Sequence, residues 1–334
     1  MATDSAQAYI NGVRECNRRM LAKTITLVES SLSNHQELAA TILDRLLPYT
    51  GKAIRLGISG VPGVGKSTFI ENLGMMLVRK GLCVAVLAVD PSSTRSGGSI
   101  MADKTRMEKL ALEEKAFIRP SPTEGTLGGV ARKTREALFI CEAAGFDVVI
   151  VETVGVGQSE TRVASMVDFF LVLMLAGAGD ELQGLKKGIL ELADAIVINK
   201  ADGDNIEKAR LAKKAYENAL SLLTPSSPSW SPPILTCSAL EKTGIEAVWD
   251  NVLVHREKLT ATGEFSQKRR DQALDWMWIL VEEGLKARFY SNAEIHAQLP
   301  KIKHAVASGA VTPTAAANEL LLLLDKKDYD NGRH

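Results

Sequence analysis

The feature that most constrains this chain is the octapeptide Gly60-Val61-Pro62-Gly63-Val64-Gly65-Lys66-Ser67. It lies between an apolar, strand-like run over 54–59 and a helix-like run that begins near Thr68. It satisfies G-x-x-x-x-G-K-[ST] at every fixed position, in the strand–loop–helix context the motif requires. The glycines let the backbone curl so that successive N–H groups face a phosphate chain. The start of the following helix adds its partial positive charge. In this layout Lys66 brings a full charge to the β and γ phosphates, and Ser67 offers Mg²⁺ an oxygen.

From 54 to 238 the sequence has one rhythm. Short apolar runs at 54–59, 84–89, 148–151, 169–175, 195–198 and 234–236 alternate with helix-length amphipathic segments. Runs that are apolar throughout fit strands covered by helices on both faces. The pattern predicts an α/β fold: a doubly wound, mostly parallel sheet carrying the P-loop, with ligands at the carboxyl ends of its strands. Residues 1–48 read as an N-terminal helical extension, 49–260 as the P-loop domain, and 261–334 as a C-terminal helical dimerisation arm. A Pro/Ser-rich stretch at 224–233 is expected to be a flexible loop. In the arm, Leu274, Met277, Trp278, Val281 and Leu285 form one helical stripe, and Trp276, Ile279 and Leu280 a second apolar face. A lone surface helix needs only one such face. Two faces fit packing on its own domain and on a partner subunit, although a helix buried within one monomer would show the same pattern. The leucines at 320–324 are expected in a last packed helix.

An apolar strand at 148–151 delivers Glu152, with Gly155 three residues on and Gln158 beyond it. That places a carboxylate at a strand tip near Mg²⁺, a glycine N–H near the γ-phosphate, and a neutral amide able to orient a water. Gln158 could equally be a solvated loop residue. Asp90 ends another strand, and Asp103 follows the Gly97-Gly98 turn. Both are candidates for holding metal or water, with helix capping or ion pairing as the plain alternative. A third strand ends in Asn199-Lys200-Ala201-Asp202, the pattern N-K-x-D. Asp202 can accept from the guanine ring N–H and amino group together. Adenine would leave that carboxylate unpaired, at a cost of about 1–3 kcal/mol or more. Asn199 braces the loop, the Lys200 stem covers the ring, and Ser238-Ala239-Leu240 can offer the Ala239 N–H to the guanine oxygen.

Composition narrows the partners. The chain has 334 residues, 46% hydrophobic and 24% charged, with a formal net charge of +0. Neutrality removes the electrostatic case for nucleic acid or an anionic membrane. Cys16, Cys83, Cys141 and Cys237 contain no C-x-x-C pair, which argues against a disulfide framework or zinc site and fits a reducing compartment. No apolar run reaches the ~20 residues of a membrane span, and the polar N-terminus is unlike a signal or transit peptide. A cytoplasmic protein is expected.

Longer strings carry a resemblance. VDPSS at 89–93, GGSI at 97–100 with DKTRM at 103–107, FIRP at 117–120, VIVETVGVGQSE at 149–160 and LQGLKKG at 182–188 resemble the MeaB/ArgK/MMAA group of P-loop GTPases. That likeness covers nearly the whole chain. It implies homodimeric GTPases that bind GTP/GDP and Mg²⁺ and act as chaperones of adenosylcobalamin-dependent acyl-CoA mutases, chiefly methylmalonyl-CoA mutase. They gate cofactor loading by the cobalamin adenosyltransferase. It implies that Asp90, Asp103 and Glu152 join Ser67 around the metal. It also implies that 177–188 is an extra switch loop, with Asp180 and Lys186 its polar contacts. Two rivals compete: a P-loop kinase or transport ATPase, against which Asn199 and Asp202 argue, and a metallochaperone GTPase. The latter needs clustered Cys or His, whereas His35, His255, His296, His304 and His334 are scattered.

Overall fold

The computed structural model describes residues 2–89, 107–121, 127–153, 158–176, 187–220 and 227–330. They form two compact units, 1–268 and 269–334. The first unit is built on a seven-stranded sheet: β1 (Ile54–Gly60), β2 (Val84–Val89), β3 (Ala116–Ser121), β4 (Val148–Thr153), β5 (Phe169–Leu175), β6 (Ala195–Asn199) and β7 (Ile234–Thr236). The strand order is β3-β2-β4-β1-β5-β6-β7 and every neighbouring pair is parallel.

Alternation along the strands divides the core in two. Ala85 and Leu87, Val149 and Val151, and Phe170, Val172 and Met174 face one layer. Val84 and Val86, Val148 and Ile150, and Phe169, Leu171 and Leu173 face the other. The first layer is covered by α1 (Ala2–Arg14), α2 (Arg18–Glu29), α3 (Ser33–Leu46), α6 (Leu127–Ala143), α7 (Gln158–Ala164), α8 (Lys187–Leu192) and α9 (Ile206–Leu220). The second is covered by α4 (Lys66–Arg79), α5 (Glu108–Leu112) and α10 (Ile245–Thr262). The N-terminal helices therefore share one core with the sheet. Arg119 of β3 pairs with Glu29 of α2 at 2.5 Å, and Arg18 donates to the Ala116 carbonyl at 2.7 Å.

Strand β3 was not among the runs read as strands from the sequence. Its apolar run is only Ala116–Ile118, and Arg119 and then Pro120 follow, the latter a residue that normally demotes a strand. As an edge strand it bonds to β2 alone, so a residue without an N–H is tolerated there. The Pro/Ser-rich stretch also departs from expectation. Residues 224–226 lie outside the described set, but 227–233 are anchored. Trp230 is buried against Phe169 and His255 and donates its indole N–H to the Asp194 carbonyl at 2.8 Å. Ser227 and Ser229 both donate to Glu264.

At the amino ends of the strands, three aspartates recur as staples. Asp147 accepts from Cys83 N–H, Asp168 from Arg55 N–H, and Asp194 from Phe170 N–H, each at 2.8 Å. Each sits just before its own strand and bonds the neighbouring one. Burial pushes the Asp194 carboxyl up, yet Lys268 at 3.3 Å, His255 at 3.6 Å and the Phe170 N–H together hold it below the usual carboxylate range.

The second unit contains most of α11 (Glu264–Ser291), then α12 (Ala293–Ala307) and α13 (Pro313–Asp330). Asn292 caps α12 by accepting from Glu294 and Ile295 N–H groups. Ile295, Ile302, Ala316 and Leu323 are its buried apolar residues. The α11 stripe is exposed: Leu274, Met277, Trp278, Val281 and Leu285 all face solvent, Trp278 with 61% of its surface accessible. Among the described residues, no helix is long and apolar enough to cross a membrane.

Candidate functional site

Strand β1 runs fully buried through the middle of the sheet and delivers the glycine-rich loop at its carboxyl end. Two glycines in that loop are required by close approach. A Cβ on Gly60 would strike the Leu173 carbonyl of β5, and one on Gly65 would lie 2.8 Å from the Asn199 amide nitrogen. Gly65 also adopts φ +94 as the residue that opens α4, a conformation a side chain would oppose. Lys66 is the first residue of α4. Its ammonium group folds back over the loop and donates to the Gly60 carbonyl at 2.6 Å and the Val61 carbonyl at 3.1 Å. Val64 is buried beneath, while Pro62 and Gly63 are exposed and Ser67 is half-buried. Thr68 follows on the helix. A cation and a helix N-terminus thus converge on one exposed turn, the arrangement that receives a phosphate chain.

Beside it stands the carboxylate that ends β4. The parallel register sets Glu152 opposite Ile58 of β1 and Ala88 of β2. Its Oε1 lies 3.3 Å from the Ser67 hydroxyl. Neighbouring oxygens on one octahedral Mg²⁺ sit about 3 Å apart, because each is ~2.1 Å from the ion. The pair therefore fits two positions on such a cation. Under them, Thr153 donates to Ser59 at 2.9 Å, a buried bond that joins the tips of β4 and β1. Among the described residues no three His, Cys, Asp or Glu side chains cluster as a metal site. Asp90, Asp103, Gly155 and Lys186 lie outside the described residues, as does the side chain of Gln158. The switch loop expected at 177–188 is described only from Lys187 onward.

The N-K-x-D turn is tied into this loop by one side chain. Asn199 is buried at the end of β6, donates to the Val64 carbonyl at 2.8 Å, and accepts from the Ala239 N–H at 3.0 Å and the Cys237 thiol at 3.3 Å. It links the phosphate loop to the segment after β7. Lys200 is exposed with φ +59, a strained conformation for a side-chain-bearing residue that sends the chain sharply outward to Asp202. Asp202 accepts from the Ser238 hydroxyl, which in turn accepts from Glu241 N–H at 3.0 Å. Ala201 N–H donates to the Cys237 carbonyl at 3.0 Å. Burial, aided by the Asp202 charge, pushes the Cys237 thiol up to about 12, so it serves as a neutral packing group. Leu240 is exposed.

The fold brings the P-loop residues, Glu152, Asn199 and the Ser238–Leu240 segment together at the carboxyl ends of β1, β4, β6 and β7. The Ala239 N–H, read from the sequence as a base contact, is engaged by Asn199. Sequence reasoning missed Asn72 of α4, whose amide donates to the Ala239 carbonyl at 2.8 Å. It also missed the Ser59–Thr153 bond. Nothing in spacing alone reveals either, since each depends on which helix face or strand tip meets which loop.

The family described as Methylmalonyl Co-A mutase-associated GTPase MeaB matches residues 21–294. The GTPase ArgK of Escherichia coli (strain K12) is 48% identical over 321 residues, covering 96% of this chain and 97% of that protein. The Mus musculus protein named methylmalonic aciduria type A homolog, mitochondrial, is 45% identical over 333 residues, 96% of this chain and 80% of that protein. The crystal structure of a protein called LAO/AO transport system kinase aligns with a TM-score of 0.77 at 42% identity, covering 96% of this chain and 98% of that one. With a P-loop at the centre of an all-parallel sheet and a family match over most of its length, the chain belongs to the MeaB family of methylmalonyl Co-A mutase-associated GTPases, and it binds guanine nucleotide and hydrolyses GTP.

Proposed function

We propose that this GTPase is a cytoplasmic chaperone of an adenosylcobalamin-dependent acyl-CoA mutase, methylmalonyl-CoA mutase or a relative. In this reading it couples GTP hydrolysis to cofactor loading by the cobalamin adenosyltransferase and to protection of the mutase. The observation that carries the reading is the match over 21–294 to a family described by its association with that mutase. The chemistry at the site is transfer of the γ-phosphoryl group to water. A bond forms from the water oxygen to the γ-phosphorus, the bond to the β–γ bridging oxygen breaks, and GDP and phosphate leave. Lys66 and the N-terminus of α4 offset the charge that builds on the phosphate oxygens. Ser67 and Glu152, with Asp90 and Asp103, would hold Mg²⁺, which supplies Lewis-acid neutralisation of the phosphates when bound. Gln158 orients the attacking water, the Gly155 N–H senses the γ-phosphate, and Lys186 is a polar contact of the switch loop near the phosphate site. Asn199, Lys200, Asp202 and the Ser238–Leu240 segment select guanine.

The test is co-purification with candidate cobalamin mutases in GDP and in a non-hydrolysable GTP analogue. A complex whose stability differs between the two nucleotides is expected. No complex in either state would leave the GTPase without this client.

The α11 stripe supports a homodimer whose partner is a second copy of the chain. Five large apolar side chains in register along one helix are a self-complementary surface, and an exposed indole is a strong anchor. Multi-angle light scattering should give the mass of two chains for the wild type and of one for Leu274→Glu/Trp278→Glu. A wild type that runs at the mass of one chain would overturn the dimer.

A further inference from the structure

Asn72 makes a contact that the local helix does not require. Its amide nitrogen donates to the Thr68 carbonyl at 3.1 Å, an ordinary bond within α4, and also to the Ala239 carbonyl at 2.8 Å in the loop after β7. The Ala239 N–H is taken from another direction by Asn199 at 3.0 Å. Both backbone polar groups of Ala239 are thus held by side-chain amides, one from the P-loop helix and one from β6. In a trans peptide the carbonyl and the following N–H point in opposite directions. Holding the Ala239 carbonyl therefore fixes where the Leu240 N–H points. Among the described residues no acceptor takes the Leu240 N–H, and Leu240 is 77% exposed.

We propose that Asn72 is a positioning residue for base recognition. It locks the Ala239–Leu240 peptide so that its N–H meets the 6-oxo group of guanine, and it ties that contact to the P-loop helix. This rests on the base site proposed at Asn199, Lys200 and Asp202. The contact discriminates independently of Asp202. Adenine presents an amino donor where guanine presents an oxygen, and a locked N–H cannot turn away from it, whereas a loose peptide could. The same bond gives the base and phosphate halves of the site a shared support, because α4 carries Lys66 and Ser67 as well as Asn72.

The experiment titrates wild type, Asn72→Ala and Asn72→Gln calorimetrically with GDP, 6-thio-GDP and IDP, and the wild type also with ADP. 6-Thioguanine keeps the ring N–H and amino group that Asp202 takes, but puts a weakly accepting sulfur at position 6. Hypoxanthine keeps the oxygen and lacks the amino group. Asn72→Ala should weaken GDP binding about tenfold, the scale of one well-placed hydrogen bond. Binding of 6-thio-GDP should change less than about twofold, and the preference for GDP over IDP should be unchanged. Asn72→Gln keeps an amide donor and should restore most of the GDP over 6-thio-GDP preference. Equal weakening of GDP and 6-thio-GDP would overturn the proposal, because it would mean that Asn72 only supports the fold. So would a GDP affinity that does not move. A wild type with no preference for GDP over ADP would remove the base site itself, an outcome distinct from either.

Discussion

Lys66→Ala is expected to lower single-turnover GTP hydrolysis by roughly 10³-fold, at the upper end of what one preorganised electrostatic group contributes. Phosphoryl transfer asks little covalent chemistry of the protein, so positioning and charge carry the rate. Lys66 is the only full cation that the loop itself supplies, and its ammonium already lies over the Gly60 and Val61 carbonyls. Alanine removes that charge while leaving the glycine geometry and the start of α4 in place. Rapid-quench measurement with radiolabelled GTP reads the effect, and a melting curve checks that the variant is folded. A folded variant that hydrolyses GTP within a few-fold of wild type would refute the phosphate-site assignment.

Asp202→Asn should collapse the preference for GTP over ATP by about 10²-fold, since the carboxylate accepts two donors at once and an amide cannot. The same change should raise affinity for xanthosine nucleotides, whose 2-oxo group can accept from the new amide. Ser238 holds Asp202 in place through its hydroxyl, so the replacement changes chemistry at a braced position rather than at a loose one. Competition of GTP, ATP and XTP against a fluorescent nucleotide measures all three affinities. An unchanged GTP over ATP ratio would remove Asp202 from base selection. It would also reopen the phosphotransfer reading, against which Asn199 and Asp202 argue.

Most of the fold could be read from local sequence. Strands β2, β4, β5 and β6 place buried apolar residues on both faces because helices cover both, and that pattern needs no knowledge of neighbours. Strand β3 escaped because its environment, not its composition, makes it a strand: an edge position beside β2 tolerates Pro120 and uses Arg119 to hold α2. Residues 227–233 misled for the opposite reason. Prolines and serines signal a loop correctly, but one tryptophan inserted beside His255 and Phe169 anchors it. The site divides along the same line. Gly60–Ser67 and Asn199–Asp202 are contiguous, so the phosphate and base contacts proposed for them are written in their spelling. The Asn72–Ala239 contact joins residues 167 positions apart and has no local signature.

By itself, then, the order of residues determined which groups could meet phosphates and a purine, since backbone curl, charge and donor pattern are properties of short segments. Only the tertiary structure decided how those segments support one another: Asn199 reaching through the space that Gly65 leaves open, Glu152 arriving beside Ser67, and the Ala239 segment clamped from two sides. The physical reason is range. Hydrogen bonds act over about 3 Å, and distant stretches of chain come that close only once the parallel sheet has set its strand order and register.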